Sequence, residues 1–590
     1  MKLKRIFLSF ILFALALSSC TGTADNSAPD DTTAADQEPP VTPAPAEETS
    51  PPPPPEPIIY TKDTYPKPVF GSDVGYNLKL SDFVSNPVLW GTPMLRESGA
   101  YFEVRFDKNG SWDFEVTEKS IEYHKLGEHV SYRPAAHAAE WGYSITHLDG
   151  LIDGAGMEIK TGFAGEDAPK TRQEAVEKIW DYLQRQYIKG ADHPWESING
   201  HYPWHHYAGE AGFDVLGSEI GENINNYQWH IALTRGAARQ YQTPWTMDFS
   251  NWHGPSVGDW NDVPTWGIYS NPDGGHSMSL MERSYLMSYM AGADCTVAEG
   301  GSLMCFTKNI VDVHYELSPY GEVCRKINAF ITANPDIGLG YTPFGIVLDY
   351  YHGSYPGFER KAFHHFPYDA GDNMTWRLIN MIWPGGWEVM EKKEVGTMVN
   401  GPYGDLFDVM LQNASQEVLN SYPVLILTGS LVPSNEEITR YVEYVNQGGT
   451  LILNTVYLQY FPSDFGDNEN VIVYGEEDYN ISELGEILLA QIERFVPFTF
   501  STDIQYLINV KNGSLLVTLI NNDGVRKHHD MTPAVIDESK FRDVIVTYTG
   551  NLALKSVADI YNGQDVSLDR TAASITIPAG GMAVLEFKFD

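Results

Sequence analysis

The sequence is poor in basic residues. It holds 39 lysines and arginines against 78 aspartates and glutamates, which gives a formal net charge of −39 at pH 7. A nucleic-acid partner requires a basic surface that neutralises phosphates, so this balance argues against nucleic-acid binding. We expect a protein that acts on neutral or weakly charged molecules.

Cysteine is also scarce, with four residues in 590. Beyond Cys20, three remain, at Cys295, Cys305 and Cys324. Their odd number and spacing give neither a disulfide framework nor a metal-binding pattern. We expect buried thiols, with one disulfide as the alternative. No cofactor is predicted, because HExxH is absent and the Gly448-Gly449 pair lies in no nucleotide-binding motif.

A long apolar run stands at the N-terminus. Three basic residues precede an apolar stretch from Ile6 to Leu17, which is short for a transmembrane helix. The stretch ends in Leu-Ser-Ser-Cys20, which resembles a bacterial lipobox; the resemblance implies cleavage before Cys20 and diacylation of its thiol. An ordinary secretory signal is the alternative. Residues 21–60 form a proline-rich tether that cannot build a core.

These segments predict an extracytoplasmic protein. Its lipid would anchor it to the bacterial cell membrane or the outer membrane, and nothing but the N-terminal lipid would touch that membrane.

Between residues 61 and 339, strand-like and helix-like stretches alternate. We predict strands at 142–147, 195–199, 213–217, 244–249 and 294–298, and helices at 171–186, 227–241 and 279–290. Such alternation predicts a parallel sheet. At this length the leading fold is a (β/α)8 barrel, with an open doubly wound sheet as the alternative.

Two further units follow. Residues 340–496 are predicted as a flavodoxin-like α/β domain, because a strand from Tyr422, a helix with a capping pattern at Ser434 and a strand from Thr450 form a βαβ unit. Residues 497–590 show short alternating strands with turns at Asn522-Asp-Gly and Tyr561-Asn-Gly. This pattern is typical of a small antiparallel β-sandwich.

Polar side chains follow nearly every predicted strand of the first unit. In a parallel barrel, function resides on the loops at the carboxyl ends of strands. Aromatic residues reach 13% of the chain, and tryptophan and tyrosine stack well on sugar rings. The strand ends therefore favour a polar pocket, built from His147, Asp149, Asn199, His201, His205, Glu219, Glu222, Asn223, Asp248, Asn251, Trp252, His253 and Glu299.

Two carboxylates on opposite sides of such a pocket cleave a glycosidic bond when one is held protonated and the other ionised. Glu219 and Glu299 end two separate predicted strands and suit these roles. Glu222 is the rival of Glu219, since three residues place both on one side of a helical turn. Asp248 is a further candidate carboxylate.

The layout of barrel, flavodoxin-like domain and β-sandwich resembles family 42 β-galactosidases and other clan A glycoside hydrolases. Ser218-Glu219-Ile220-Gly221 is similar to the family's Asn-Glu-Tyr-Gly, and Ala298-Glu299-Gly300 matches the nucleophile position. The segment YVNQGGTLIL, 444–453, resembles the family's middle domain. The resemblance implies acid/base Glu219 at the end of barrel strand four and nucleophile Glu299 at the end of strand seven.

Two departures from the family concern the site. Ser218 replaces the asparagine that binds the sugar 2-hydroxyl in clan A, and Glu219 and Glu299 are 80 residues apart (299 − 219), closer than is usual for family 42. The resemblance also implies a homo-oligomer through the flavodoxin-like domain.

The function predicted is hydrolysis of a poly- or oligosaccharide by a two-carboxylate, retaining mechanism. The predicted sugar-binding residues are Asp248, His201, His205, Asn223, Trp252, His253, His147 and Asn199. Alternatives are metal binding by His201, His205 and His206, and capping of a helix rather than hydroxyl binding by Asn223, Asn225 and Asn226.

A further segment, "LDYYHG" at 348–353, would either reach the pocket or only terminate its strand. For the whole chain, the rivals are a non-catalytic glycan-binding lipoprotein and a polysaccharide lyase. The lyase is disfavoured because the predicted strand ends supply almost no arginine or lysine to neutralise a uronate.

Overall fold

A computed structural model describes much of the chain, and every structural statement below concerns the described residues. These are residues 69–73, 102–103, 136–138, 168–186, 195–198, 204–221, 226–250, 276–298, 319–353, 361–363, 365–384, 397–475, 481–527 and 533–590. The predicted signal segment, Cys20 and the tether lie outside them.

The first sheet is parallel and has seven strands: β1 Val69–Asp73, β2 Phe102–Glu103, β3 Ala136–Ala138, β4 Trp195–Ile198, β5 Val215–Gly221, β6 Trp245–Ser250 and β7 Cys295–Ala298. Their order is β2-β1-β7-β6-β5-β4-β3. Strands β3 to β7 are adjacent in chain order, β7 pairs with β1, with Gly71 opposite Val297, and β2 and β3 stand at the two edges of the described sheet. The prediction of a parallel sheet in the first unit is confirmed.

Five helices accompany this sheet: α1 Arg172–Gln186, α2 Trp204–Ala211, α3 Tyr227–Tyr241, α4 Met278–Met290 and α5 Pro319–Ala333. Trp245, Met247 and Phe249 of β6 pack into one core with residues of α3 and α4. Successive side chains of a strand point to opposite faces. Thr246 and Asp248 therefore lie on the other face, which we call the inner face of the sheet.

The second sheet contains five parallel strands: β9 Phe344–Leu348, β12 Phe407–Leu411, β13 Val424–Leu427, β14 Thr450–Asn454 and β15 Val471–Tyr474. Their order, β12-β9-β13-β14-β15, reads 2-1-3-4-5 along the chain, which is the flavodoxin-like order. Its helices are α6 Ala370–Ile382, α7 Gln416–Asn420, α8 Asn435–Asn446 and α9 Ile481–Phe495. Ser434 and Glu437 form the predicted capping box of α8.

Antiparallel sheets of four and five strands form the C-terminal unit, in the orders β16-β21-β24-β23 and β22-β25-β18-β17-β8. One strand, β8 Leu339–Gly340, comes from the end of the first unit and pairs with β17. The others are β16 Phe498–Phe500, β17 Gln505–Lys511, β18 Ser514–Ile520, β21 Arg542–Tyr548, β22 Leu554–Asp559, β23 Ser567–Asp569, β24 Ala572–Ile577 and β25 Met582–Phe589.

Four very short strands pair in twos, β10 Lys361–Ala362 with β11 Phe366–Pro367 and β19 Val525–Arg526 with β20 Val535–Ile536. Short 3₁₀ helices cover Thr455–Tyr460, Phe465–Asp467 and Glu538–Lys540. None of the helices in the described part of the chain has the length and apolarity needed to span a membrane.

Side chains of the first unit complete the edge of the second sheet. The edge strand β12 has backbone groups that no neighbouring strand pairs. Arg235 donates to the Phe407 carbonyl at 3.0 Å, and His206 Nε2 donates to the Val409 carbonyl at 2.8 Å. The side-chain Oε1 of Gln240 accepts a hydrogen bond from the Leu411 backbone amide at 2.9 Å. These side chains therefore close the edge of the sheet to other strands.

Candidate functional site

Glu219 lies within a strand. The apolar run that starts at Phe213 continues as β5 through Gly221, so Glu219 sits two residues before the end of the strand. A helical turn does not start at Glu219, because β5 continues through Gly221. On β5, Leu216 and Ile220 pack against the helices. Alternation therefore puts Glu219 on the inner face.

The neighbour of Glu219 on this face is Asp248. The two residues are Cα partners in the parallel pairing of β5 with β6. In-register residues of adjacent strands are about 4.8 Å apart and present their side chains on the same face. Asp248 is buried, with 4% of its surface exposed, and Glu219 is half-buried. Two carboxylates thus stand side by side near the carboxyl end of the sheet.

Small residues flank Glu219 along its strand. The residues two before and two after Glu219, which share its face, are Gly217 and Gly221. Gly221 has φ +112°, a backbone conformation that favours glycine. Opposite Gly217 stands Thr246, so the inner face beside Glu219 carries small groups. A ligand can approach the carboxylates without displacing a large side chain from β5.

The strand that precedes Glu299, β7, lies between β6 and β1 in the described sheet. Residue 299 itself lies outside the described residues, directly after β7. Because β7 pairs with β6 on one side and with β1 on the other, one strand separates it from β5. The family resemblance implies two intervening strands and an eighth strand after the nucleophile. In the described sheet a single strand, β6, lies between β5 and β7, so the strand spacing differs from that of the family, while the position of Glu299 stays a prediction.

Ser218 faces away from the carboxylates. It shares the helix-facing side of β5 with Leu216 and Ile220, and its side chain is fully buried. Its Oγ makes no hydrogen bond with any described residue. Ser218, which replaces the clan A asparagine, therefore faces the helix layer and not the carboxylates.

His205, a predicted sugar-binding residue, is a core residue in the structure. It is fully buried on α2, and both ring nitrogens lack hydrogen bonds to the described residues. Burial, together with neighbouring His206 and His230, lowers the pKa of His205 well below its usual value. Its position does not fit sugar binding. The described residues hold no group of three metal-ligating side chains, and His201 lies outside them, so the metal alternative stays untested.

For Asn226, the sequence left open whether it caps a helix or binds a sugar hydroxyl. It adopts φ 52° at the start of α3, and its side chain accepts a hydrogen bond from the Trp229 amide at 3.0 Å. It is therefore a helix cap.

The segment 349–353, which follows β9, lies at the carboxyl edge of the second sheet and not at the edge near Glu219. Asp349 accepts from the Ser430 amide at 3.0 Å, and His352 Nδ1 lies 3.4 Å from Asp349. Both therefore sit at the carboxyl edge of the second sheet, away from Glu219. Of the three body cysteines, Cys324 is described as a buried free thiol, as expected.

The other predicted site residues lie outside the described part of the chain, and their roles stay predictions. They are Glu222, Glu299, His201, Asn223, Asn225, Trp252, His253, Asn251, His147, Asp149 and Asn199. The register that makes Asp248 the partner of Glu219 was missed by the sequence reasoning. This register cannot be recognised in the sequence, because it depends on which strands pair in the folded protein.

Comparisons with known proteins gave structural likenesses. No family model and no curated protein matches the sequence. Among solved structures, the chain is similar to a β-galactosidase from Bacillus circulans sp. alkalophilus, at 10% identity and a TM-score of 0.49, covering 89% of this chain and 99% of that one.

Two further structures show the same level of likeness. A family 42 exo-carrageenase from Bacteroides ovatus has 9% identity and a TM-score of 0.41, with 89% and 80% covered. An α-L-fucosidase isoenzyme from Paenibacillus thiaminolyticus has 10% identity and a TM-score of 0.41, with 89% and 100% covered. A family 42 enzyme, the exo-carrageenase, is thus among the solved structures to which the chain is similar.

Proposed function

We propose that this protein is a glycoside hydrolase that acts on a poly- or oligosaccharide. The supporting observation is the in-register pair of Glu219 and Asp248 on the inner face of the first sheet. The proposal includes a (β/α)8 barrel, of which seven strands are described, and attachment of the protein to a bacterial membrane through Cys20.

The pair has the composition that glycosidic bond cleavage needs. Like charges about 5 Å apart disfavour double ionisation, which favours one carboxylic acid beside one carboxylate. We assign Glu219 as the general acid/base, because it is the more exposed of the two. It donates its proton to the leaving glycosidic oxygen and afterwards accepts a proton from the attacking water.

The second carboxylate is assigned to Asp248, and Glu299 is its rival. Retaining glycosidases hold their two carboxyl groups about 5–5.5 Å apart, so that the second attacks the anomeric carbon. Adjacent in-register strands are about 4.8 Å apart, so the side chains of Glu219 and Asp248 can bring their carboxyl groups to this separation. The family resemblance supports Glu299, which follows directly after β7.

A hydrolysis screen tests the function and separates these assignments. The purified protein is incubated with aryl glycosides and polysaccharides, beside Glu219→Gln, Asp248→Asn and Glu299→Gln. We expect wild-type turnover that falls at least about 10²-fold in Glu219→Gln and in Asp248→Asn, the scale of general acid–base catalysis. Exposed Glu436→Gln is the matched control and keeps full turnover.

Each other outcome has a defined meaning. Turnover that survives Asp248→Asn but not Glu299→Gln makes Glu299 the second carboxylate. No turnover on any sugar, with glycan binding intact, makes the protein a glycan-binding lipoprotein and ends the hydrolase proposal.

A further inference from the structure

A groove of about 550 Å³ lies between α4, α5 and the turn after β22. Its principal lining residues are Glu282, Glu322, Arg325, Lys326, Phe330 and Tyr561. Because α4 packs on the helix-facing side of β6, the groove is on the opposite side of that strand from Asp248. It is therefore separate from the Glu219–Asp248 pair, and it joins the first unit to the C-terminal sheets.

Two aromatic rings give the groove an apolar part. Phe330 and Tyr561 meet edge to face, with ring centroids 5.0 Å apart. Phe330 is 6% exposed, so its ring is fixed in the core. Lys326 Nζ lies 4.5 Å from the centre of the Tyr561 ring, a cation–π contact that helps to hold the ring in place.

Glu282 is oriented by two donors on a single oxygen. Its Oε1 accepts from the Tyr561 hydroxyl at 2.6 Å and from Lys326 Nζ at 2.5 Å. Lys326 also donates to Asn562 Oδ1 at 3.0 Å. Oε2 of Glu282 makes no hydrogen bond with any residue that the structure describes. One fixed carboxylate oxygen is thus left to accept hydrogen bonds from a ligand.

The chemistry of the lining selects a neutral, hydroxyl-bearing ligand. Glu282 and Glu322 balance Lys326 and Arg325, so the groove favours neither a cation nor an anion. A fixed carboxylate oxygen accepts from hydroxyl groups, and aromatic carbon suits the C–H faces of a sugar. The volume is in the usual range for small-molecule sites.

We propose that this groove is a second, non-catalytic saccharide-binding site, which holds a part of the glycan distant from the bond being cleaved. This inference rests on the proposed function for its choice of glycan. It assigns Glu282 as the hydroxyl acceptor and Tyr561 as the residue that orients it.

Affinity electrophoresis of the intact protein tests the site. Native gels are cast with the neutral polysaccharides galactan, xylan, mannan and β-glucan, with polygalacturonate as the charged comparison. We expect at least one neutral polysaccharide to retard the wild-type protein, and Glu282→Ala to weaken that retardation about tenfold. Glu443→Ala, at an exposed position of α8, is the matched control and migrates as wild type.

A second variant guards against a folding defect. Tyr561→Phe keeps the ring and removes only the hydroxyl that orients Glu282, and we expect it to weaken retardation severalfold with an unchanged melting temperature. Absence of retardation of the wild type, or full retardation of both variants, overturns the proposal. Retardation of the wild type by polygalacturonate alone also overturns it, because the site would then bind an anion.

The two proposals fail in different ways. Hydrolysis in the screen together with full retardation of Glu282→Ala removes the second site and leaves the hydrolase. Retardation that depends on Glu282, without hydrolysis of any glycoside, leaves a saccharide-binding protein.

Discussion

Gly236 of α3 lies directly against the backbone of Val409 on the edge strand β12. A Cβ atom at position 236 would stand 1.8 Å from the Val409 carbonyl oxygen. The same oxygen accepts the hydrogen bond from His206, so helices α2 and α3 both meet the second sheet at this residue. The absence of a side chain at Gly236 therefore sets how closely the first unit packs on the second.

We predict that Gly236→Ala destabilises the protein by at least about 2 kcal/mol, as overpacking of a core does. The obstacle is backbone, so the helix itself must move, and the bonds of Arg235 and Gln240 to β12 weaken with it. Gly340→Ala is the control, because its Cβ would lie 3.6 Å from the nearest heavy atom. Urea unfolding measures both variants; equal stability of Gly236→Ala and wild type would contradict this account.

The second prediction concerns Asp408, which is fully buried beside two arginines. Arg235 Nε and Arg239 Nη1 each lie 2.5 Å from its oxygens, and the Tyr422 hydroxyl donates to it at 2.9 Å. Burial acts to raise the pKa of Asp408, but the two guanidinium groups outweigh it and hold the pKa below its usual value. The carboxylate therefore stays ionised between the two units.

Asp408→Asn should cost about 3–5 kcal/mol, because it leaves buried cations without their counter-charge. Glu436→Gln breaks an exposed pair with Arg440 and should cost at most about 1 kcal/mol. Chemical denaturation of the two variants gives the comparison. Similar losses in both would show that the Asp408 cluster does not bind the units together.

The third prediction concerns the carboxyl group of Asp294, just before β7, which makes the stability of the protein depend on pH. It is buried and accepts a hydrogen bond from the Trp245 amide at 3.0 Å. Burial raises the pKa of Asp294 to about 7, although the Trp245 amide opposes this shift. The folded state thus binds this proton more tightly than the unfolded state does, so its contribution to stability is lost as pH rises from about 4 to about 7.

Asp294→Asn removes this titration while keeping an acceptor for Trp245. We expect the stability of wild type relative to Asp294→Asn to fall by on the order of 3–4 kcal/mol between pH 4 and pH 8. His206, whose pKa burial lowers to about 4, contributes the opposite slope in both proteins and cancels in the difference. A difference that does not change with pH would mean that Asp294 is ionised in the folded protein at every pH tested.

Elements that depend on local patterns were predicted well. Helix Tyr227–Tyr241 was predicted with its observed bounds, and Ser434 and Glu437 gave the capping box of α8. Strand Thr450–Asn454 was also correct. Hydrophobic periodicity, helix caps and glycine turns depend on residues that are close together in the chain, so they can be recognised in the sequence alone.

The site itself depends on pairings between distant residues. Asp248 becomes the partner of Glu219 only because β5 and β6 align in one register, and β7 neighbours β1 only because residues more than 200 positions apart pair. A shift of one residue would turn Asp248 to the other face. His205 shows the same limit, since a polar residue after a predicted strand was placed in a pocket, whereas the packing of α2 buries it.

The last prediction separates the two faces of β5. Ser218 and Glu219 are adjacent in sequence, yet Ser218 faces the helices and Glu219 the inner face. In clan A the residue at this position binds the sugar 2-hydroxyl, so the resemblance predicts that Ser218→Ala weakens substrate binding. The structure predicts instead that kcat and KM on a hydrolysed glycoside change by less than about twofold. Stability is retained or slightly raised, because a buried hydroxyl without a hydrogen bond to the described residues is removed.

Ser218→Asn introduces the asparagine side chain that clan A has at this position, and it is the second variant of this test. On the helix side of β5 it adds volume, so it should lower stability by about 1–3 kcal/mol without improving KM. Steady-state kinetics beside thermal unfolding measure both variants. A tenfold rise in KM for Ser218→Ala at unchanged stability would place Ser218 against the substrate, and β5 would then turn its other face to the helices.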